Sequence, residues 1–271
     1  YSSFENCTFN DVSCFSALHF PNCKVINFNK CNLTKIEAII PEKGKELGGI
    51  LYFEKLTEFT LTNCMFKECG SIDMKNNPAI KLCSSVETAS IINSTFDRCG
   101  RYNKGGAISA RNVTDIRIIN CIFVWNMAQA VIEDTLSVYV GEGSQNCNIS
   151  NCILRNRNKG NDATQLFEFR VFSSYVTFSN NLFERENGHL QNVNDDGFGG
   201  IYFGQVKELT ISNNIFKETH NTAVYAFNVG EVIAINNTWD GCCASKYDSS
   251  PRAFYIKTTN DLLTFRNNTV K

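Results

Sequence analysis

The chain has 271 residues, is 43% hydrophobic with only four prolines, and balances 26 basic against 27 acidic side chains. Such a chain is long and apolar enough to bury a large core, while its near-neutral charge and lack of a Lys/Arg run give no footing to a nucleic-acid partner. No apolar run approaches the roughly 18 residues that span a bilayer, so no direct membrane insertion is expected of this segment, and no secretory leader opens it.

From the N-terminus onward one short phrase recurs. It reads FENCTF at Phe4 to Phe9, LTNCMF at Leu61 to Phe66, IINSTF at Ile91 to Phe96, IINCIF at Ile118 to Phe123 and ISNCIL at Ile149 to Leu154. It continues as FSNNLF at Phe178 to Phe183, ISNNIF at Ile211 to Phe216, INNTW at Ile235 to Trp239 and FRNNTV at Phe265 to Val270. The central Asn falls at 6, 63, 93, 120, 151, 180, 213, 236 and 267, with Lys30 in the slot between the first two. A spacing of roughly 23 to 33 residues marks a stacked array.

Upstream of each Asn, apolar residues fall at minus 2, 4, 7, 10 and 12, as in Ile118, Ile116, Val113, Ala110 and Ile108. Runs of period two broken by a step of three describe short strands joined by corners. A rung of three such strands buries its apolar side only by stacking on copies of itself. The expected fold is therefore all-β: a right-handed single-stranded parallel β-helix over 1–271, with about ten rungs of about 29 residues. At the strand spacing that makes a rod on the order of 45 Å long. The rung before Asn151 is expected to carry a corner insertion over Val138 to Asn146. The repeated Asn is expected to point inward and form a ladder along the rod. Both ends fall inside a rung, which suggests a segment of a longer protein.

Thirteen cysteines follow the repeat. Cys7 with Cys31, Cys121 with Cys152 and Cys69 with Cys99 share slots in neighbouring rungs, at a spacing compatible with disulfides; a column of buried thiols is the alternative. No metal site or cofactor is expected, because no CxxC pair or nearby His completes a ligand set. Of seven N-x-S/T sequons, Asn6, Asn93, Asn236 and Asn267 coincide with the corner slot and are expected to be inward. Asn32, Asn112 and Asn148 remain as candidate glycan acceptors.

Catalysis on polysaccharides needs two or three carboxylates on one face. The densest stretch is HLQNVNDDGFGG, with His189, Asp195 and Asp196, and its Asn, Asp and Gly content equally suits a surface loop. At minus 11 the chain carries outward-facing residues, among them His19, Tyr52, Ser109, Tyr202 and Tyr225, with Tyr255 one position further back in the last copy. Tyr52, Tyr202 and Tyr225 are the candidate binding residues, since Tyr offers a large contact area with a polar tip, although plain same-face stacking also explains them.

Gly105-Gly106-Ala107-Ile108 enters one rung and Phe123-Val124-Trp125-Asn126 closes it. These strings resemble the GGA(I/L/V) and FxxN repeats of the polymorphic membrane protein family, with looser versions at Gly48-Gly49-Ile50-Leu51 and Gly199-Gly200-Ile201. In the last slot of FxxN the chain instead has Cys69, Cys99, Glu186 and Thr219. The resemblance implies a surface-exposed β-helical adhesin. The leading expectation is thus a non-enzymatic, extracellular or cell-surface scaffold that contacts a glycan or a protein surface. A polysaccharide lyase or hydrolase is the second reading. The third is a structural subunit of a filament or larger assembly, with end-to-end or lateral contact between copies.

Overall fold

The turn that passes through Asn213 shows how the repeat folds. Phe198–Gly204, Glu208–Ser212 and Ile215–Lys217 are its three strands. Its corners are Gln205, Asn213 and Glu218, all left-handed at φ 57°, 56° and 53°. Each strand pairs in parallel with its counterparts one turn before and one turn after. Leu209, for example, lies between Val176 and Val232.

The computed structural model describes residues 1–14, 18–38, 49–70, 78–83, 85–100, 106–124, 126, 135–156, 166–185, 198–219, 222–242, 252–257 and 262–271. It is a parallel β-solenoid with turns of about 30 residues. The strands after the Asn corner form one 10-stranded sheet, and those before it form a 17-stranded sheet of two adjoining columns. We call the columns first, second and third in the order the chain visits them. The third column stacks ten strands, one for each phrase, while the turns that are counted as whole number about six.

The first and second columns merge where Thr135–Ser150 and Leu166–Ser179 run as continuous strands through the position of the corner. The expected corner insertion over Val138 to Asn146 is therefore corrected. That segment is strand, with the extra residues absorbed as a register irregularity between Val140 and Ser144.

The interior follows from the period-two pattern. Ile201 and Phe203, Leu209 and Ile211, and Phe216 all point inward and are fully or almost fully buried. Along the third column, Phe66, Phe96 and Phe123 stack with centroids 5.1 and 5.2 Å apart, and Phe183 continues to Phe216 at 4.9 Å. Each ring thus packs on the same ring of the next rung.

The repeated Asn does not point inward. Asn6, Asn63, Asn93, Asn120, Asn151, Asn180, Asn213, Asn236 and Asn267, and Lys30 in the same slot, have φ between 51° and 56° and are exposed. Asn recurs because it tolerates the left-handed conformation that this corner requires, and that conformation turns its side chain to solvent. The ladder is carried instead by the following residue. Asn181, Asn214 and Asn237 are buried, and each Nδ2 donates to a carbonyl of the preceding rung: Ile149, Phe178 and Ile211 at 2.9 to 3.0 Å. A second, exposed set links the corner residues themselves, as in Asn120 to Asn93 and Asn236 to Asn213, both at 3.1 Å.

Cysteine takes the same post elsewhere. The thiols of Cys31, Cys121 and Cys152 donate to Phe4, Ile91 and Ile118 carbonyls at 3.4 to 3.5 Å. The backbone N–H of Cys31 in turn donates to the Cys64 sulfur. Six residues past the corner a parallel ladder holds Cys69, Cys99 and Asn126. The departures from FxxN at Cys69 and Cys99 are therefore substitutions of one ladder donor by another. The paired candidates Cys7, Cys31, Cys69, Cys99, Cys121 and Cys152 are all free thiols, so the thiol column, and not the disulfide pairing, is what the structure contains.

The glycines of the GG strings also have a steric reason. A Cβ on Gly200 would lie 2.0 Å from the Ala223 carbonyl oxygen, and one on Gly100 would lie 2.3 Å from Gly106 Cα. Backbones of successive rungs approach there more closely than any side chain permits.

Candidate binding face

The outward side of the first column is one continuous row. His19 pairs with Tyr52, Tyr52 with Lys81, Lys81 with Ser109 and Ser109 with Tyr139. Tyr139 pairs with Arg170, then Tyr202, Tyr225 and Tyr255 follow in register. Strand alternation alone aligns these side chains on one face.

Tyr202 and Tyr225, two of the three expected binding residues, are brought together. Their rings stack with centroids 5.3 Å apart and planes 11° apart, and Tyr255 follows Tyr225 at 4.8 Å. Tyr52 is not part of that group. It lies at the other end of the row, only 7% exposed, with the His19 ring 4.8 Å away. Burial, with Cys83 and Glu54 nearby, pushes its phenol far up, so it stays a neutral, largely covered side chain. Its assignment to an accessible site is corrected.

The accessible part runs from Arg170 to Lys257. Tyr202, Tyr225 and Tyr255 are half-buried, whereas Phe227, Arg252 and Lys257 are exposed. Because the rings stack on each other along the rod, they offer solvent their edges and hydroxyls more than their faces. Burial raises the phenol pKa of Tyr202 and Tyr225 above its ordinary value of 10.0.

Five described cations on this side, in the row or beside it, lie on rings. Arg170 sits over Tyr202 at 5.1 Å and over Phe172 at 5.5 Å, and Arg252 over Tyr255 at 4.3 Å. Lys257 sits over Phe227 at 5.5 Å, Arg111 over Tyr139 at 5.5 Å and Lys81 over Tyr52 at 5.7 Å. Gly204 makes room for this packing: a Cβ there would lie 2.6 Å from the Phe172 ring and 2.8 Å from the Tyr202 ring.

Counting back from the Asn phrase misses Tyr139 and Arg170, because the two merged strands displace them from minus 11, and Phe172, because it stands in the next outward slot, level with Gly204. The alternation Val138-Tyr139-Val140 and Phe169-Arg170-Val171, matched to Ile201-Tyr202-Phe203, is the signal that recovers them.

The candidate catalytic residues His189, Asp195 and Asp196 lie outside the described residues. Glu184, shortly before them, is ion-paired with Arg155. Among the described residues no group of three or more His, Cys, Asp or Glu side chains is placed to hold a metal ion, and no helix is long and apolar enough to cross a membrane.

Of the candidate glycan acceptors, Asn32 is exposed on the third column and Asn112 is exposed at a left-handed corner with φ 52°. Asn148 is half-buried, with its Oδ1 enclosed and without a partner. Asn6, Asn93, Asn236 and Asn267, expected to be inward, are exposed, so burial does not exclude them as acceptors.

No protein-family model matches the chain, and no curated protein or solved structure matches it either.

Proposed function

We propose that the chain is a non-enzymatic interaction scaffold, acting at a cell surface or outside the cell, whose contact area is the outer face of the first strand column. The observation that carries this reading is the run Arg170, Phe172, Tyr202, Tyr225, Phe227 and Tyr255 with Arg252 and Lys257. Rings and cations are held on successive rungs of a sheet whose own core is already filled without them. Side chains that contribute little to core packing yet are ordered by mutual stacking form a preorganised surface, which lowers the entropic cost of binding.

The resemblance to polymorphic membrane protein repeats supports an adhesin role, and the ladder function of Cys69 and Cys99 removes one objection to it. Exposed sequons at Asn32 and Asn112 agree with an extracellular location. The partner in this reading is a glycan or a protein surface.

The test is binding to a panel of glycans and to intact cells by the Tyr202→Ala/Tyr225→Ala variant. It should bind markedly less while its Tm stays close to that of the parent. Undiminished binding would remove this face from the account.

A further inference from the structure

We infer that the accessible part of this face binds a linear acidic glycan, one bearing carboxylate or sulfate groups, in an orientation along the rod. This inference rests on the reading of the first column as a binding surface and names the class of its ligand.

The argument starts from charge. The chain as a whole is near neutral, yet the outward rows of the first column hold Lys81, Arg111, Arg170, Arg252 and Lys257 against two carboxylates, Glu54 and, two positions before Arg170 on the same strand, Glu168. Glu54 is already engaged by His19 at 3.1 Å. Among the described residues no carboxylate pairs with Arg111, Arg170, Arg252 or Lys257, whereas Arg98 and Arg155 on the third column both have carboxylate partners. The Arg170 Nε is buried with no hydrogen-bond partner among the described residues.

Geometry then selects the kind of anion. A guanidinium laid on a ring is fixed in orientation and keeps its in-plane N–H groups free for bidentate contact with a carboxylate or sulfate. Arg170 and Arg252 are both held this way, three rungs apart, with the Tyr202 and Tyr225 rings between them. At the strand spacing, three rungs are about 14 Å. Two anion sites at that separation suit a polymer whose charged groups recur along its length. A single-stranded nucleic acid instead needs exposed ring faces for its bases to stack on. Here the ring faces are covered by neighbouring rings and guanidinium groups.

The experiment uses the whole chain and four probes: polygalacturonate for carboxylates, heparin for sulfates, dextran as a neutral glycan and a single-stranded thymidine polymer. One or both acidic glycans should bind, more weakly as salt is raised, and which of the two binds more tightly identifies the anionic group. Dextran should not bind. Arg252→Gln/Lys257→Gln, at exposed positions where folding is not at risk, should weaken acidic-glycan binding by roughly tenfold or more, the size expected for losing one charge-assisted contact. Arg170→Gln should do the same.

Dextran binding as tight as that of the acidic glycans, still lost in Tyr202→Ala/Tyr225→Ala, would overturn the acidic ligand but leave the binding face standing. Tighter binding of the thymidine polymer than of either glycan would overturn the inference in favour of a nucleic acid. If no probe binds and Tyr202→Ala/Tyr225→Ala also leaves cell binding unchanged, both the ligand class and the face fail.

Discussion

The Oδ1 of Asn237 accepts two hydrogen bonds from Asn214, one from its backbone N–H and one from its Nδ2, each at 3.0 Å. Both residues are fully buried, so each rung satisfies the polar groups of its predecessor with one inward amide. Asn237→Ala leaves two buried donors of Asn214 and the Ile211 carbonyl without their partner. The expected loss is about 3 kcal/mol in urea unfolding. Asn237→Cys should cost less, because Cys152 occupies the equivalent post in its own rung. An equal loss for both variants would show that thiol and amide are not interchangeable there.

Lys30 is the one non-Asn residue at the left-handed corner, with φ 52°. A lysine pays the Cβ clash of that conformation without the local hydrogen bonding that lets Asn visit it. Lys30→Gly should therefore raise stability, by about 0.5 kcal/mol after the glycine's larger unfolded-state entropy is subtracted. A lower Tm for this variant would contradict the assignment of the corner.

Two glycines should respond differently to the same change. In Gly200→Ala the new methyl meets backbone, the Ala223 carbonyl oxygen, and the rungs must separate; a loss of about 2 to 3 kcal/mol is expected. In Gly204→Ala it meets the edges of the Phe172 and Tyr202 rings, which can swing away. That variant should keep most of its stability yet change its near-UV circular dichroism and lose binding. Comparable thermal losses in the two would show that the rings are not free to move.

The buried thiols set an alkaline limit. Burial pushes Cys147 from its ordinary 9.0 up to about 12 and Cys64 up to about 11. Above pH 9 the unfolded chain releases these protons while the folded chain retains them, so the full stability is present below pH 9 and falls between pH 9 and the folded values. For Cys147 the slope is about 1.4 kcal/mol per pH unit. Cys147→Ala should flatten the decline of unfolding free energy between pH 9 and 11 by that share, apart from any constant offset for the lost side chain. An unchanged slope would mean that Cys147 is not shielded from water.

The fold was legible because strand alternation and corner spacing are both written in residue order: Ile108, Ala110, Val113, Ile116 and Ile118 all point inward as their spacing implies. The direction of Asn120 was not legible, since a residue that tolerates a left-handed corner and one that forms an inward ladder are both Asn. Only the following slot, where Cys121, Ser94 and Asn214 replace one another, tells them apart. For the binding face, Tyr202 and Tyr225 could be found by counting. Arg170 and Tyr139 could not, because their strands run straight through the position where the count expects a corner. That Arg170 and Arg252 lack a carboxylate partner among the described residues depends on which residues come close in space, and no spacing along the chain carries that information.

Hydroxyl-radical footprinting of the protein, free and bound to the acidic glycan that binds most tightly, addresses the central claim directly, because it reads side-chain exposure residue by residue. The account predicts that oxidation of Tyr202, Tyr225, Phe227 and Tyr255 falls on binding, while Met65 and Ile215, exposed on the third column, oxidise as before. Protection of Met65 and Ile215 with Tyr225 and Phe227 unchanged would move the contact to the opposite sheet and contradict it.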